Sequence, residues 1–123
     1  MGRKTILKPY KVIDDGDISG DVTSSSTNIE FLDSVTYLVQ WTGSTPIGVL
    51  YVDVRQKTGG EPDGFNTSWI TLEFGETISV SGASGGHTIS IENKAFTESR
   101  LRFVSTSGSG TMQATISGSV EGA

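Results

Sequence analysis

His87 is the only histidine in a chain that has no cysteine, and it is the first residue to weigh for chemistry. A Ser-His-Asp site needs its nucleophile on a sharp strand-to-helix elbow. Gly82-Ala-Ser-Gly-Gly86 precedes His87, but no helical pattern follows it, so His87 reads as an exposed loop residue. One histidine without a thiol also argues against zinc. Paired carboxylates are the other enzymatic route, and Glu73, Glu76, Asp53 and Asp63 are the candidates for a glycosidase pair. Acids on strand faces and turns are, however, the ordinary state of an acidic surface. Asp14-Asp15-Gly16-Asp17 places oxygens at alternating positions, as calcium requires. The twelfth loop position counted from Asp14 is Ser25, not a bidentate Glu. The stretch therefore reads as a solvated turn. Gly108-Ser-Gly110 lacks the Lys and the helix of a phosphate cradle and reads as a hairpin turn. Trp41 and Trp69 could stack a sugar, but each stands in an alternating segment, which favours core packing. The reading is a non-enzyme with no catalytic residue, no metal site and no cofactor.

The elements that hold these residues are strands. Val35, Tyr37, Val39 and Trp41 alternate with Thr36, Leu38 and Gln40, a period of two with one β-branched and aromatic face. Thr42-Gly-Ser-Thr-Pro46 reads as a turn, after which Leu50, Val52 and Val54 resume the alternation. The pair is expected to form a central hairpin. Residues 21–32 read as an edge strand with Ile29 and Phe31 on one face. A long excursion, residues 56–68, carries three Gly and Pro62 and has Phe65 as its only aromatic. Such loops often carry contacts. Segments at 69–74, 77–81, 88–92, 100–104 and 111–117 follow, the last two joined by a turn at 105–110. The expected core is Tyr37, Val39, Trp41, Leu50, Val52, Ile78, Val80, Ile89, Ile91, Leu101, Phe103, Met112, Ala114 and Ile116. Both Arg100 and Arg102 are expected to face outward.

About eight strands at spacings near ten residues, with no crossover helix, imply an all-β fold. The expectation is a single antiparallel β-sandwich, jelly-roll or immunoglobulin-like in topology. The chain has 123 residues and 34% apolar content, enough for one core. No apolar stretch is long enough to span a membrane, and no signal peptide is legible, so synthesis in the cytoplasm is expected. Net charge is −5, unevenly spread. Residues 1–12 carry Arg3, Lys4, Lys8 and Lys11 and no acid; the remainder carries five basic groups against fourteen acids. So acidic a body argues against nucleic acid as a partner. Residues 1–20 are read as an extended basic arm and turn, and residues 21–123 as the sandwich. Arg3, Lys4, Ile6, Leu7, Lys8, Tyr10 and Lys11 in the arm, and Phe65 in the long loop, are the expected partner-binding residues.

The order Asp33-Ser-Val-Thr-Tyr-Leu-Val-Gln-Trp-Thr-Gly43, Gly48-Val-Leu-Tyr-Val-Asp-Val54, Trp69-Ile-Thr-Leu72, Arg100-Leu-Arg-Phe-Val104 and Gly108-Ser-Gly-Thr-Met-Gln-Ala-Thr-Ile-Ser-Gly118 resembles small β-sandwich virion proteins of tailed bacteriophages. The resemblance implies a structural protein, foremost a capsid cement or decoration protein that binds the lattice of the major capsid protein. A tail or head-fibre component, or a carbohydrate- or host-binding module, are the alternatives. It further implies a virion location, other virion proteins as partners, and a homo-oligomer, dimer or trimer. It carries over no active site.

Overall fold

The computed structural model describes residues 4–56, 68–93 and 96–120. Alternation builds eight antiparallel strands and no helix among these residues. They are β1 (Lys4–Asp17), β2 (Val22–Thr23), β3 (Thr27–Asn28), β4 (Ser34–Arg55), β5 (Ile70–Thr71), β6 (Ile78–Val80), β7 (Ser84–Glu92) and β8 (Glu98–Val120). Two strands dominate. β4 and β8 pair antiparallel along their whole lengths, from Ser34 opposite Ser119 to Arg55 opposite Glu98. The ladder order is β1-β8-β4-β5. β2 and β3 also pair with β8, and β6 and β7 with β4.

The expected central hairpin does not exist. Thr42 to Pro46 continues β4, and residues 105–110 continue β8, so the two presumed turns lie opposite one another in a single ladder. Gly43 faces Gly110 and Ser44 faces Ser109, with register shifts on either side of Ile47. These residues make a corner rather than a reversal. A Cβ on Gly43 would overlap the backbone of Gly110, and a Cβ on Gly110 would overlap the Thr42 carbonyl. Side chains at either place would force the crossing strands apart. Thr45 and Gly108 take positive φ values of 47° and 81°, and the shifted register bends both strands.

That bend folds the ladder back on itself. Tyr37 lies near one end of it, opposite Ile116, and Ser99 lies near the other, opposite Val54. Yet the Tyr37 and Ser99 hydroxyls are 2.8 Å apart. One layer is therefore β1, the second half of β8, the first half of β4, and β7. The other is β2 and β3, the first half of β8, the second half of β4, and β5 and β6. This is the expected all-β sandwich, built on two strands shared by both layers.

The core fills the space between the layers. Of the fourteen residues expected there, all are buried except Ile78, which is half-buried and packs against the cluster. The core is larger than expected and includes Val12, Ile13, Ile18, Ile29, Leu32, Val35 and Val54. Phe31 does not share a face with Ile29. Ile29 is fully buried while Phe31 is 77% exposed, because β3 ends at Asn28, whose side chain accepts from the Glu30 amide, and a turn closes from Leu32 N to Ile29 O. Of the edge strand expected over 21–32, only β2 and β3 form, and of the strand expected over 69–74 only Ile70–Thr71.

The segment expected to leave the sandwich is part of it. β1 pairs with β8 from Lys4 opposite Val120 to Asp17 opposite Thr111, and Val12 and Ile13 enter the core. No boundary at residue 20 divides this sheet. Four register shifts run along β1. They accommodate Pro9, which has no amide to donate, and Asp15, with φ of 52°. The Asp14-Asp15-Gly16-Asp17 stretch is thus strand end rather than turn. The turn follows it, where the Asp17 carboxylate accepts from the Ser19 amide at 3.0 Å and hydroxyl at 2.7 Å. These bonds hold the Asp17 carboxyl below its usual range.

Candidate functional site

The most elaborate polar arrangement sits on the outer face of the β4–β8 pair, beside β5. Period two sends Tyr51, Asp53 and Arg55 of β4 to the same face as Glu98, Arg100 and Arg102 of β8. Register puts Asp53 opposite Arg100 and Arg55 opposite Glu98. Asp53 is 1% exposed. Its carboxylate accepts from Arg100 Nε at 2.9 Å, from Arg102 Nε at 2.9 Å and Nη2 at 3.2 Å, and from Thr71 Oγ1 at 2.8 Å. Burial pushes its pKa up, but the bonds from Arg102, Arg100 and Thr71 together outweigh burial. The carboxyl titrates below its ordinary value. Arg102 is held correspondingly above its own by the Asp53 bond. Arg55 Nε donates to Glu98 Oε1 at 2.6 Å.

Aromatic rings complete the cluster. The guanidinium carbons of Arg55 and Arg100 lie 4.3 and 4.4 Å from the centre of the Trp69 ring, and that of Arg102 lies 4.6 Å from the Tyr51 ring. Such contacts strengthen as they are desolvated. Trp69 therefore is not the core residue expected, nor an open sugar platform; two arginines occupy its ring. Arg55 and Trp69 flank the 56–68 excursion, so the cluster pins both ends of that loop to the sheet. Phe65 and the rest of residues 57–67 lie outside the described residues.

The expected contact residues of the N-terminal segment fall on the opposite edge. Arg3 lies outside the described residues, and Lys4 and Ile6 lie in β1. Leu7 is half-buried and packs against the core. Lys8 and Lys11 are exposed, and Lys11 Nζ donates to Asp14 Oδ1 at 3.1 Å. Tyr10 is 42% exposed, and its hydroxyl meets Thr27 Oγ1 at 3.0 Å. Outside residues 1–12, the described cations are Arg55, Arg100 and Arg102, and all three are engaged in the cluster just described. Exposed described positive charge is thereby concentrated on β1.

His87 is half-buried in β7, not on a loop. Its ring lies 5.5 Å from that of Trp41, and Nε2 is 2.6 Å from the Ser79 carbonyl oxygen. That carbonyl is no nucleophile, and the contact ties β6 to β7. Trp41 is core as expected, 5% exposed, and its Nε1 donates to the Ser81 carbonyl at 3.3 Å. Among the described residues no three His, Asp or Glu side chains are grouped to hold a metal. Among the described residues there is no helix long and apolar enough to cross a membrane.

No family model and no curated protein matches the chain. Solved structures do. A chain of the infectious bursal disease virus Gx strain aligns with a TM-score of 0.59 at 14% identity, over 99% of this chain and 33% of that one. A chain of the T13 viral particle of the same virus aligns at 0.55 and 14% identity, over 99% of this chain and 32% of that one. The SPBc2 prophage-derived protein YomS aligns at 0.52 and 10% identity, over 95% of this chain and 96% of YomS. At these identities the likeness is one of fold. This chain spans about a third of the viral chains it matches and nearly the full length of YomS.

Proposed function

We propose that this chain is a non-enzymatic structural protein of a virion. More narrowly, it is a bacteriophage cement or decoration subunit that docks on the major capsid protein and stabilises its lattice. The observation that carries the reading is the end-to-end match with a prophage-derived protein of the same extent. The match to a segment of a virus-particle chain supports it. The outer face agrees, because its buried carboxylate is spent entirely on arginines and a threonine and is not presented to a substrate. Contacts with neighbouring virion subunits use the basic segment Arg3, Lys4, Ile6, Leu7, Lys8, Tyr10 and Lys11, and Phe65 of the 56–68 excursion. Because β1 is integral to the sheet, the segment works as a basic rim of the sandwich rather than as a free arm.

The test is co-sedimentation with purified particles. Wild-type protein binds, less so at high salt, and Lys8→Glu/Lys11→Glu weakens binding while leaving the melting temperature close to wild type. Binding to tails or fibres alone would move the protein to the alternative virion positions. Binding to no particle, together with a positive glycan array, would replace the reading with a carbohydrate-binding one.

A further inference from the structure

The edge of the sandwich opposite β1 carries a groove of about 480 Å³. It runs along the second half of β4, between the short ladders that β5 and β6 make with it. β5 pairs only Ile70 and Thr71, and β6 pairs only Ile78 to Val80; the Leu72 amide still donates to the Val52 carbonyl at 2.8 Å, and residues 73–77 lie outside both ladders. Glu73 and Glu76 are the charged residues of the lining, and both are exposed. Apolar side chains accompany them. Leu72 and Ile78 are half-buried, Phe74 is 37% exposed, and Ile70, beside the groove, is 62% exposed. A second depression of about 260 Å³ shares Phe74, Glu76 and Ile78 from the other side. The segment between is an acidic, apolar ridge with a hollow on each flank.

We infer that this groove receives the basic half of β1 from a second copy of the chain, joining copies head to tail. The inference rests on the reading of that segment as a contact region and names its partner surface. Three observations carry it. The signs are opposite: Lys8 and Lys11 on β1 meet Glu73 and Glu76 at the groove. The chemistry matches, because Tyr10 is an exposed aromatic between the two lysines, and the groove offers Phe74 and Leu72 to cover it. The topology forbids the contact within one molecule. β1 flanks β8, whereas β5 and β6 flank β4, at opposite sides of the sandwich. A surface that fits another surface elsewhere on the same molecule makes a heterologous interface. Repeated, it closes into a ring or extends as a chain. Exposed ion pairs add little affinity, so apolar burial supplies the attraction and the charges set orientation and encounter rate.

The experiment is sedimentation velocity of the full chain over a concentration series, at low and high salt, for four proteins. Wild type is expected to form assemblies that shrink at high salt. Glu73→Lys/Glu76→Lys and Lys8→Glu/Lys11→Glu are each expected to sediment as monomers with unchanged melting temperatures. The protein carrying all four changes is expected to assemble again, since the signs are again opposite. That rescue separates a contact from mere loss of fold. A wild type that stays monomeric at every concentration would overturn the inference. So would assembly indifferent to the separate reversals, or absence of rescue. A monomer that still decorates particles refutes the groove contact and leaves the virion role standing. Assembly through the groove without particle binding does the reverse.

Discussion

Removing the Asp53 carboxylate is the sharpest probe of the outer-face cluster. Asp53→Ala leaves Arg100 and Arg102 facing one another across a site that is 1% exposed at position 53. It deletes the four hydrogen bonds that the carboxylate accepts from Arg100, Arg102 and Thr71. Breaking a buried pair from one side costs roughly 3–5 kcal/mol. The arginine side chains here are 26% and 29% exposed, so water recovers part of the loss and the lower end applies, about 3 kcal/mol. For a domain of this size that lowers Tm by roughly 12 °C. The pH dependence follows from the depressed carboxyl. Its stabilisation is fully present above the ordinary value of 3.8 and is lost as pH falls through the lower folded-state value. Thermal melts of wild type and variant therefore differ most at neutral pH, begin to narrow below about pH 4 and converge only below the lower folded-state value. Arg102→Leu should also cost less in the Asp53→Ala background than in wild type, because the two residues share one interaction. A Tm drop under about 3 °C, or a gap that does not narrow in acid, would refute the reasoning.

Three further outcomes are expected. Trp41→Ala should cost about 3–5 kcal/mol by thermal or urea unfolding, since the ring is core and Gly85 packs directly on it. Tyr37→Phe should cost about 1–3 kcal/mol, because it strands the fully buried Ser99 hydroxyl between the layers. Burial pushes the Tyr37 phenol up to about 12 against the smaller opposing effect of the Ser99 bond, so the pair stays neutral and this loss should be flat from pH 5 to 9. Deleting residues 1–13 should abolish cooperative folding, as judged by circular dichroism and melting, because the deletion removes Val12 and Ile13 from the core and most of the β1–β8 ladder.

Core residues were legible because burial follows local period: Tyr37, Val39 and Trp41 alternate in the chain as they do in space. The long strands were not. Thr42-Gly-Ser-Thr-Pro46 and Ser105 to Gly110 have the composition of turns, and each alone is compatible with reversal. Only their pairing shows that Gly43 and Gly110 are small because two backbones cross there. β1 was hidden for a related reason. Its lysines, Pro9 and bulges mark it as polar and irregular, and those are the devices by which an exposed edge strand avoids pairing with other chains. The Asp53 cluster left a faint signal in the sequence, a Tyr-x-Asp-x-Arg alternation in one strand and Glu-x-Arg-x-Arg in another. It becomes a site only once register brings Asp53 opposite Arg100.

The virion reading is tested most directly by a cryo-electron microscopy reconstruction of virus particles assembled in the presence of this chain. Density for this sandwich is expected at many symmetry-related positions on the particle surface, with the β1 edge buried against a neighbouring protein. A particle fully assembled and stable without the chain, showing no such density, would contradict that reading.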